Sequence, residues 1–144
     1  MNWNSYGKPT AFAAALAAVL AFPAPAVAGP GIAVELNKLE PRKDACRAYL
    51  VLKNGTGSAF QELKLDLVMF DADGVVGRRV AVQGAPLGAG KTSLKVFDID
   101  GIPCPGIGRI LLNGVMACRD ASGPRDDCTG LVTTGSRAAA PLIK

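Results

Sequence analysis

The chain has 144 residues and no histidine. That absence excludes Ser-His and Cys-His nucleophilic catalysis, imidazole proton transfer and histidine-ligated metal sites. Aromatic side chains are scarce, at 6% of the residues, and there is one tryptophan, Trp3. Beyond residue 28 the aromatics are Tyr49, Phe60, Phe70 and Phe97, a poor supply for a platform that stacks bases or sugars. Four cysteines are present but no C-x-x-C pair, so neither a thioredoxin-like redox motif nor a zinc knuckle is available. No apolar run approaches the roughly 20 residues that span a bilayer. The longest, Ala11 to Phe22, is followed at once by Pro23 and Pro25.

That short run is informative in its own right. It follows a polar start with one cation, Lys8, and precedes Ala26-Val27-Ala28, the small residues that a signal peptidase accepts. This is the three-part layout of a secretory signal. The expected cut is after Ala28, leaving residues 29–144 as a single domain beginning at Gly29. No twin arginine precedes the run and no cysteine sits at the cut, so neither folded-state export nor a lipid anchor is indicated. The expectation is a periplasmic or secreted protein with no membrane span after signal cleavage. In such a compartment an even number of cysteines reads as disulfides. The formal charge of +4 falls to +3 without Lys8 and is scattered as Arg42-Lys43, Arg78-Arg79 and isolated lysines. No basic stripe forms, and no nucleic-acid partner is expected.

Beyond residue 29 the pattern is strand after strand. Ile32 to Leu39 alternates apolar and polar residues, and Pro41 to Asp44 turns the chain. Cys46 to Lys53 follows, with Cys46, Ala48, Leu50 and Leu52 on one face. Asn54-Gly55-Thr56-Gly57-Ser58 is a loop signal. Leu63, Leu65, Leu67 and Met69 alternate through a third strand that ends at Asp71-Ala72-Asp73-Gly74. Val75 to Val82 and Ser93 to Ile99 supply two more, the latter with Leu94 and Val96 expected on the buried face beside Leu65 and Leu67. Gly101 to Gly106 is a rigid turn, Ile107 to Cys118 an apolar strand suited to full burial, Arg119 to Asp127 a polar loop, and Cys128 to Thr134 a β-favouring seventh segment. The tail from Ser136 to Lys144 fits either an edge strand or a frayed end. Seven short strands with turn signals near every ten residues indicate an all-β, immunoglobulin-like β-sandwich.

Within this pattern, Leu50 to Gly90 resembles the small immunoglobulin-like modules of exported bacterial proteins, the FxLYD and CARDB types. The resemblance is carried by Leu52-Lys53-Asn54-Gly55-Thr56-Gly57, by Met69-Phe70-Asp71-Ala72-Asp73-Gly74-Val75-Val76, and by Pro86-Leu87-Gly88-Ala89-Gly90 before the next strand. It implies a binding or spacer domain without shared catalytic residues.

Three motifs suggest chemistry and lose to a simpler reading. Ala85-Pro86-Leu87-Gly88-Ala89-Gly90-Lys91-Thr92 loosely fits a phosphate-binding loop, but that loop needs a helix N-terminus after it, and Ser93 to Asp98 reads as a strand. Asp71-Ala72-Asp73-Gly74 and Asp98-Ile99-Asp100-Gly101 lack the remaining ligands of a calcium loop and fit hairpin turns. Asn54-Gly55-Thr56, formally a glycosylation acceptor, is read as a turn. No cofactor and no metal are expected.

The function expected is that of an exported periplasmic accessory or binding module, with a protein partner in the cell envelope and no catalysis. A sheet edge offers strand addition. The candidate contact loop is Arg119 to Asp127, with Arg119, Asp120, Arg125, Asp126 and Asp127 as its charged residues. Two alternatives are a secreted protease-inhibitor-like protein presenting that closed loop, and a small hydrolase using a pair among Asp66, Asp71, Asp73, Asp98 and Asp100. An immunoglobulin-like order sets the start of the second strand beside the end of the fifth, which predicts the bridge Cys46–Cys104. Cys118 and Cys128 then face each other across a hairpin between the sixth and seventh strands.

Overall fold

The structure is a computed structural model that describes Gly7 and residues 30–144. The leader expected over residues 1–28, and its cut after Ala28, lie outside the described residues, Gly7 excepted.

Among the described residues nine strands form two sheets. They are β1 (Ile32–Arg42), β2 (Ala45–Asn54), β3 (Phe60–Phe70), β4 (Val76–Gln83), β5 (Thr92–Asp100), β6 (Arg109–Asp120), β7 (Gly123–Pro124), β8 (Val132–Ser136) and β9 (Leu142–Ile143). A 3-10 turn spans Cys104–Gly106, and one helical turn, α1, spans Cys128–Leu131. The first sheet has the order β5-β2-β1-β8, and the second β4-β3-β6-β7 with β9 also on β6. This is an immunoglobulin-like sandwich. Period-two patterning produces it: Ile32, Val34 and Leu36 of β1 and Cys46, Ala48, Leu50 and Leu52 of β2 face Leu63, Leu65, Leu67 and Met69 of β3 across a dry core.

Both disulfides take the expected pairing. Cys46–Cys104 has Cα atoms 4.9 Å apart, and Cys118–Cys128 has them 6.4 Å apart. The first follows from β2 and β5 being antiparallel neighbours, with Cys46 opposite Ile99. The second forms by another route than the one expected. Cys128 lies in α1 and does not open a strand that pairs with β6. The strand after it, β8, joins the first sheet parallel to β1. A two-residue strand, β7, makes the hairpin with the end of β6 instead, pairing Arg119 with Pro124 and Asp120 with Gly123.

Two further expectations need correction. Leu94 and Val96 point outward, 56% and 46% exposed. The register pairs Leu50 with Lys95 and Ala48 with Phe97, so Lys95 and Phe97 lie on the core side and their neighbours on the other. The sixth strand is not fully buried: β6 takes register shifts around Asn113 and Met116, and Met116 is pushed out to 56% exposure. Of the two readings left open for the tail, the edge strand is the one that forms: β9 pairs parallel to Ile110 and Leu111 of β6.

Asn54 locks one end of the sandwich. Its side chain is fully buried; Nδ2 donates to the carbonyls of Ser58 (2.7 Å), Gly88 (3.0 Å) and Leu87 (3.3 Å), and Oδ1 accepts from Thr56 N (2.9 Å) and Thr56 Oγ1 (2.6 Å). The Asn-Gly loop signal is thus a polar knot joining the β2–β3 and β4–β5 connections.

Candidate functional site

The outer face of the first sheet departs from ordinary patterning. Val51 sits opposite Leu94, and Tyr49 opposite Val96. The four side chains form one apolar stripe on the solvent side of β2 and β5, with Leu94 and Val96 the more exposed pair. Isolated exposed apolar residues are ordinary, whereas a contiguous group with a polar border marks a contact surface. The border here is charged. At one end Arg47 grips Asp98 through two hydrogen bonds, Nε to Oδ1 at 2.7 Å and Nη2 to Oδ2 at 3.0 Å, and this bond chiefly holds the Asp98 carboxyl below the usual carboxylate range. Along β1, Lys38 lies 2.7 Å from Glu40 and 5.2 Å from the Tyr49 ring centre. Lys53 and Thr92 close the other end. The same strand carries Lys95 turned toward the core edge, where Nζ donates to the Ala85 carbonyl at 3.3 Å. An inward charge on an edge strand obstructs edge-to-edge pairing, so β5 offers its face in preference to its edge.

The contact loop expected from sequence is built differently from a free charged loop. Arg125 donates to both oxygens of Asp127 (2.9 and 2.7 Å) and to Asp120 Oδ2 (3.0 Å), and its guanidinium lies 5.6 Å from the Phe60 ring centre. The Arg125 bond is the main reason that Asp127 stays below the usual carboxylate range, and the same bonds raise Arg125. Asp120 is buried and its other oxygen accepts from Ser122 N. Together with Cys118–Cys128 this network pins the loop, and three of its five charges are spent internally. Arg119, 4.0 Å from Glu62, and Asp126 remain directed to solvent.

The five aspartates of the hydrolase alternative are not brought together. Asp66 lies on the outer face of the second sheet with its side chain 5% exposed, clamped by Arg79 through two 2.8 Å bonds and by Asn113 Nδ2 at 2.7 Å. The Arg79 bonds chiefly depress its pKa. Asp98 pairs with Arg47 on the opposite sheet. Asp71 Oδ1 accepts from Asp73 N and Val75 N, closing the β3–β4 turn with Gly74 at φ 80°. Gly101, after Asp100, has φ 76°. Both Asp-Gly motifs are therefore turns. Lys91 N donates to Gly88 O and β5 follows directly, so the Ala85 to Thr92 segment is also a turn that leads into a strand. Among the described residues no group of three or more acidic or cysteine side chains is arranged to hold a metal.

No family model matches the chain, and no curated protein matches it. A solved structure of IrmA from Escherichia coli is similar in fold. It is 12% identical, covers 72% of this chain and 90% of its own, and superposes with a TM-score of 0.56. That likeness concerns the fold alone and agrees with the two-sheet architecture. Two formed disulfides fit an oxidising compartment, and among the described residues no helix is long and apolar enough to cross a membrane.

Sequence reasoning missed the stripe because it assigned Leu94 and Val96 to the core. Periodicity did not choose between the two faces. Lys95 and Ser93 alternate with Leu94 and Val96, but Phe97 and Ile99 continue the Lys95 face, so β5 is apolar on both faces near its centre. An edge strand of that kind exposes one of the two.

Proposed function

We propose that the protein is an exported accessory or binding module of the bacterial cell envelope, held in the periplasm or secreted, that acts by protein–protein contact without catalysis or cofactor. The observation that carries this reading is the apolar stripe of Tyr49, Val51, Leu94 and Val96 on the outer face of the first sheet, bordered by the ion pairs Lys38–Glu40 and Arg47–Asp98. An apolar centre inside a polar rim is the ordinary anatomy of a contact surface, and Tyr49 adds the amphipathic ring favoured at contact centres. The reading sets the contact on this face in place of the Arg119 to Asp127 loop, most of whose charge is already paired.

Native electrophoresis of gently extracted envelope material tests it. The protein should migrate above its monomer mass, and Leu94→Glu or Val96→Glu should return it to the monomer position. Arg119→Ala with Asp126→Ala should leave the larger species intact. A native chain that runs as a monomer, or a larger species untouched by both glutamate variants, would overturn the proposal.

A further inference from the structure

A second place differs from the rest of the sandwich, far from loop and stripe in character. β8 pairs with β1 only from Ile32 to Leu36. After Ser136 the chain leaves that lane and crosses to the second sheet, where β9 joins β6. β1 continues to Arg42 paired with β2 alone. A register shift between Leu36 and Lys38, with Asn37 as the extra residue, resets its alternation so that Leu36 and Leu39 both face inward. Leu36 O accepts from Arg137 N at 2.9 Å, so Leu36 turns its backbone groups away from β2. Alternation through the shift then gives the same outward direction to Leu39 and Pro41. Proline, which has no N–H to offer, occupies a position where none is needed by β2. Leu39 N–H, Leu39 C=O and Pro41 C=O form a short free edge, and among the described residues no backbone partner meets them.

The vacated lane is a cleft of about 490 Å³, with Asn37, Lys38 and Leu39 on one wall, Arg137 to Ala140 on the other, and Cys104, Pro105 and Ile107 at the base. Its floor is apolar, and the two charged side chains of its rim, Lys38 and Arg137, are both cations. The side chains of Lys38 and Arg137 are 56% and 72% exposed, whereas their carboxylate partners Glu40 and Glu35 are 29% and 33% exposed. The positive ends thus lie outermost, with the carboxylates beneath them.

We propose that this cleft takes an extended peptide segment of another protein, added as a strand beside Leu39 to Pro41, with a small apolar side chain seated on Leu39 and Ile107 and acidic residues meeting Lys38 and Arg137. The free edge supplies backbone hydrogen bonds, the floor selects side-chain size, and the rim selects charge, which is the division of labour in strand-addition recognition. The site adjoins the outer-face contact, sharing Lys38 with its border, but does not depend on it.

The test is a titration of the exported, isotope-labelled protein, followed by amide NMR, with two blocked hexapeptides of the same Val-Ala-Val centre. One carries aspartate at each end and the other lysine. The aspartate peptide should shift amides of Lys38 to Arg42 and Arg137 to Ala140, and bind at least tenfold more tightly than the lysine peptide. Replacing its central alanine by proline should abolish the shifts. Ala138→Trp should block both peptides; if that variant loses its dispersed spectrum, Lys38→Glu with Arg137→Glu serves instead and should invert the charge preference. Shifts confined to the Tyr49–Val96 face, no shifts at millimolar peptide, or equal binding of the two peptides would overturn the proposal.

Discussion

Replacing Asn54 probes how the fold is held together at its loop end. Its amide makes four well-formed hydrogen bonds and one longer one while fully buried. At about 1 kcal/mol net for each good bond, Asn54→Ala removes about 4 kcal/mol. The three carbonyls that lose it each keep another donor, Thr56 Oγ1 on Ser58, Phe60 N on Leu87 and Lys91 N on Gly88, so no further large desolvation penalty is added. Against a domain stability of about 5–15 kcal/mol this is a heavy loss. Asn54→Asp sharpens the test, because the shape is kept while a donor is replaced. Ionised, the new carboxylate faces three carbonyl oxygens without a donor, so its folded pKa must lie above the unfolded value of about 4. The extra instability is therefore absent below about pH 4, grows as pH rises past that value, and levels off beyond the folded pKa. Urea unfolding of native and variant proteins between pH 3 and 8 reads this directly, since other carboxylates cancel in the difference. A pH-independent difference for Asn54→Asp, or a loss below about 1 kcal/mol for Asn54→Ala, would refute the knot.

The core register predicts that Leu67→Ala costs about 2–5 kcal/mol, while Leu94→Ala changes stability by no more than about 0.5 kcal/mol; comparable losses in urea unfolding would mean that β5 is assigned to the wrong face. Loop-closure entropy assigns about 4 kcal/mol to Cys46–Cys104, separated by 58 residues, and about 3 kcal/mol to Cys118–Cys128, separated by 10. Removing each pair as a double alanine variant should therefore lower the urea midpoint more for the first, and the reverse order would contradict that account. The depressed pKa of Asp66 contributes stability that is present above its unfolded value and lost as pH falls through the lower folded one. Arg79→Leu raises that folded value, so acid unfolding should begin at higher pH; an unchanged acid midpoint would show that the clamp does not couple to folding.

How much of this was legible in the sequence varied with how strongly each segment is constrained. Leu63 to Met69 alternates without interruption because β3 lies between β4 and β6 and every second side chain enters the core. Cys46–Cys104 was accessible because it depends only on β2 and β5 being antiparallel neighbours. The pairing of Cys118 with Cys128 was also legible, but its surroundings were not, since α1 turns the chain into the first sheet through contacts distant in sequence. β5 misled because an edge strand with apolar residues on both faces gives periodicity no way to choose between them. The two shifts in β6 have no local glycine or proline rule that places them at both Asn113 and Met116; the one at Asn113 becomes intelligible only when Asn113 is seen to reach Asp66. The charged loop was found as a loop, but its internal pairing through Arg125 depends on Phe60 and Asp120 being brought beneath it.

The central claim, contact through the outer face of the first sheet, is tested most directly by a photo-crosslinking residue introduced at Val96 in cells that export the protein. Exposed Met116 and the loop position Asp126 serve as controls. The account predicts a discrete adduct from position 96 that disappears when Leu94→Glu is added, with no matching adduct from the two controls. Identical adducts from all three positions, or none from position 96, would contradict it.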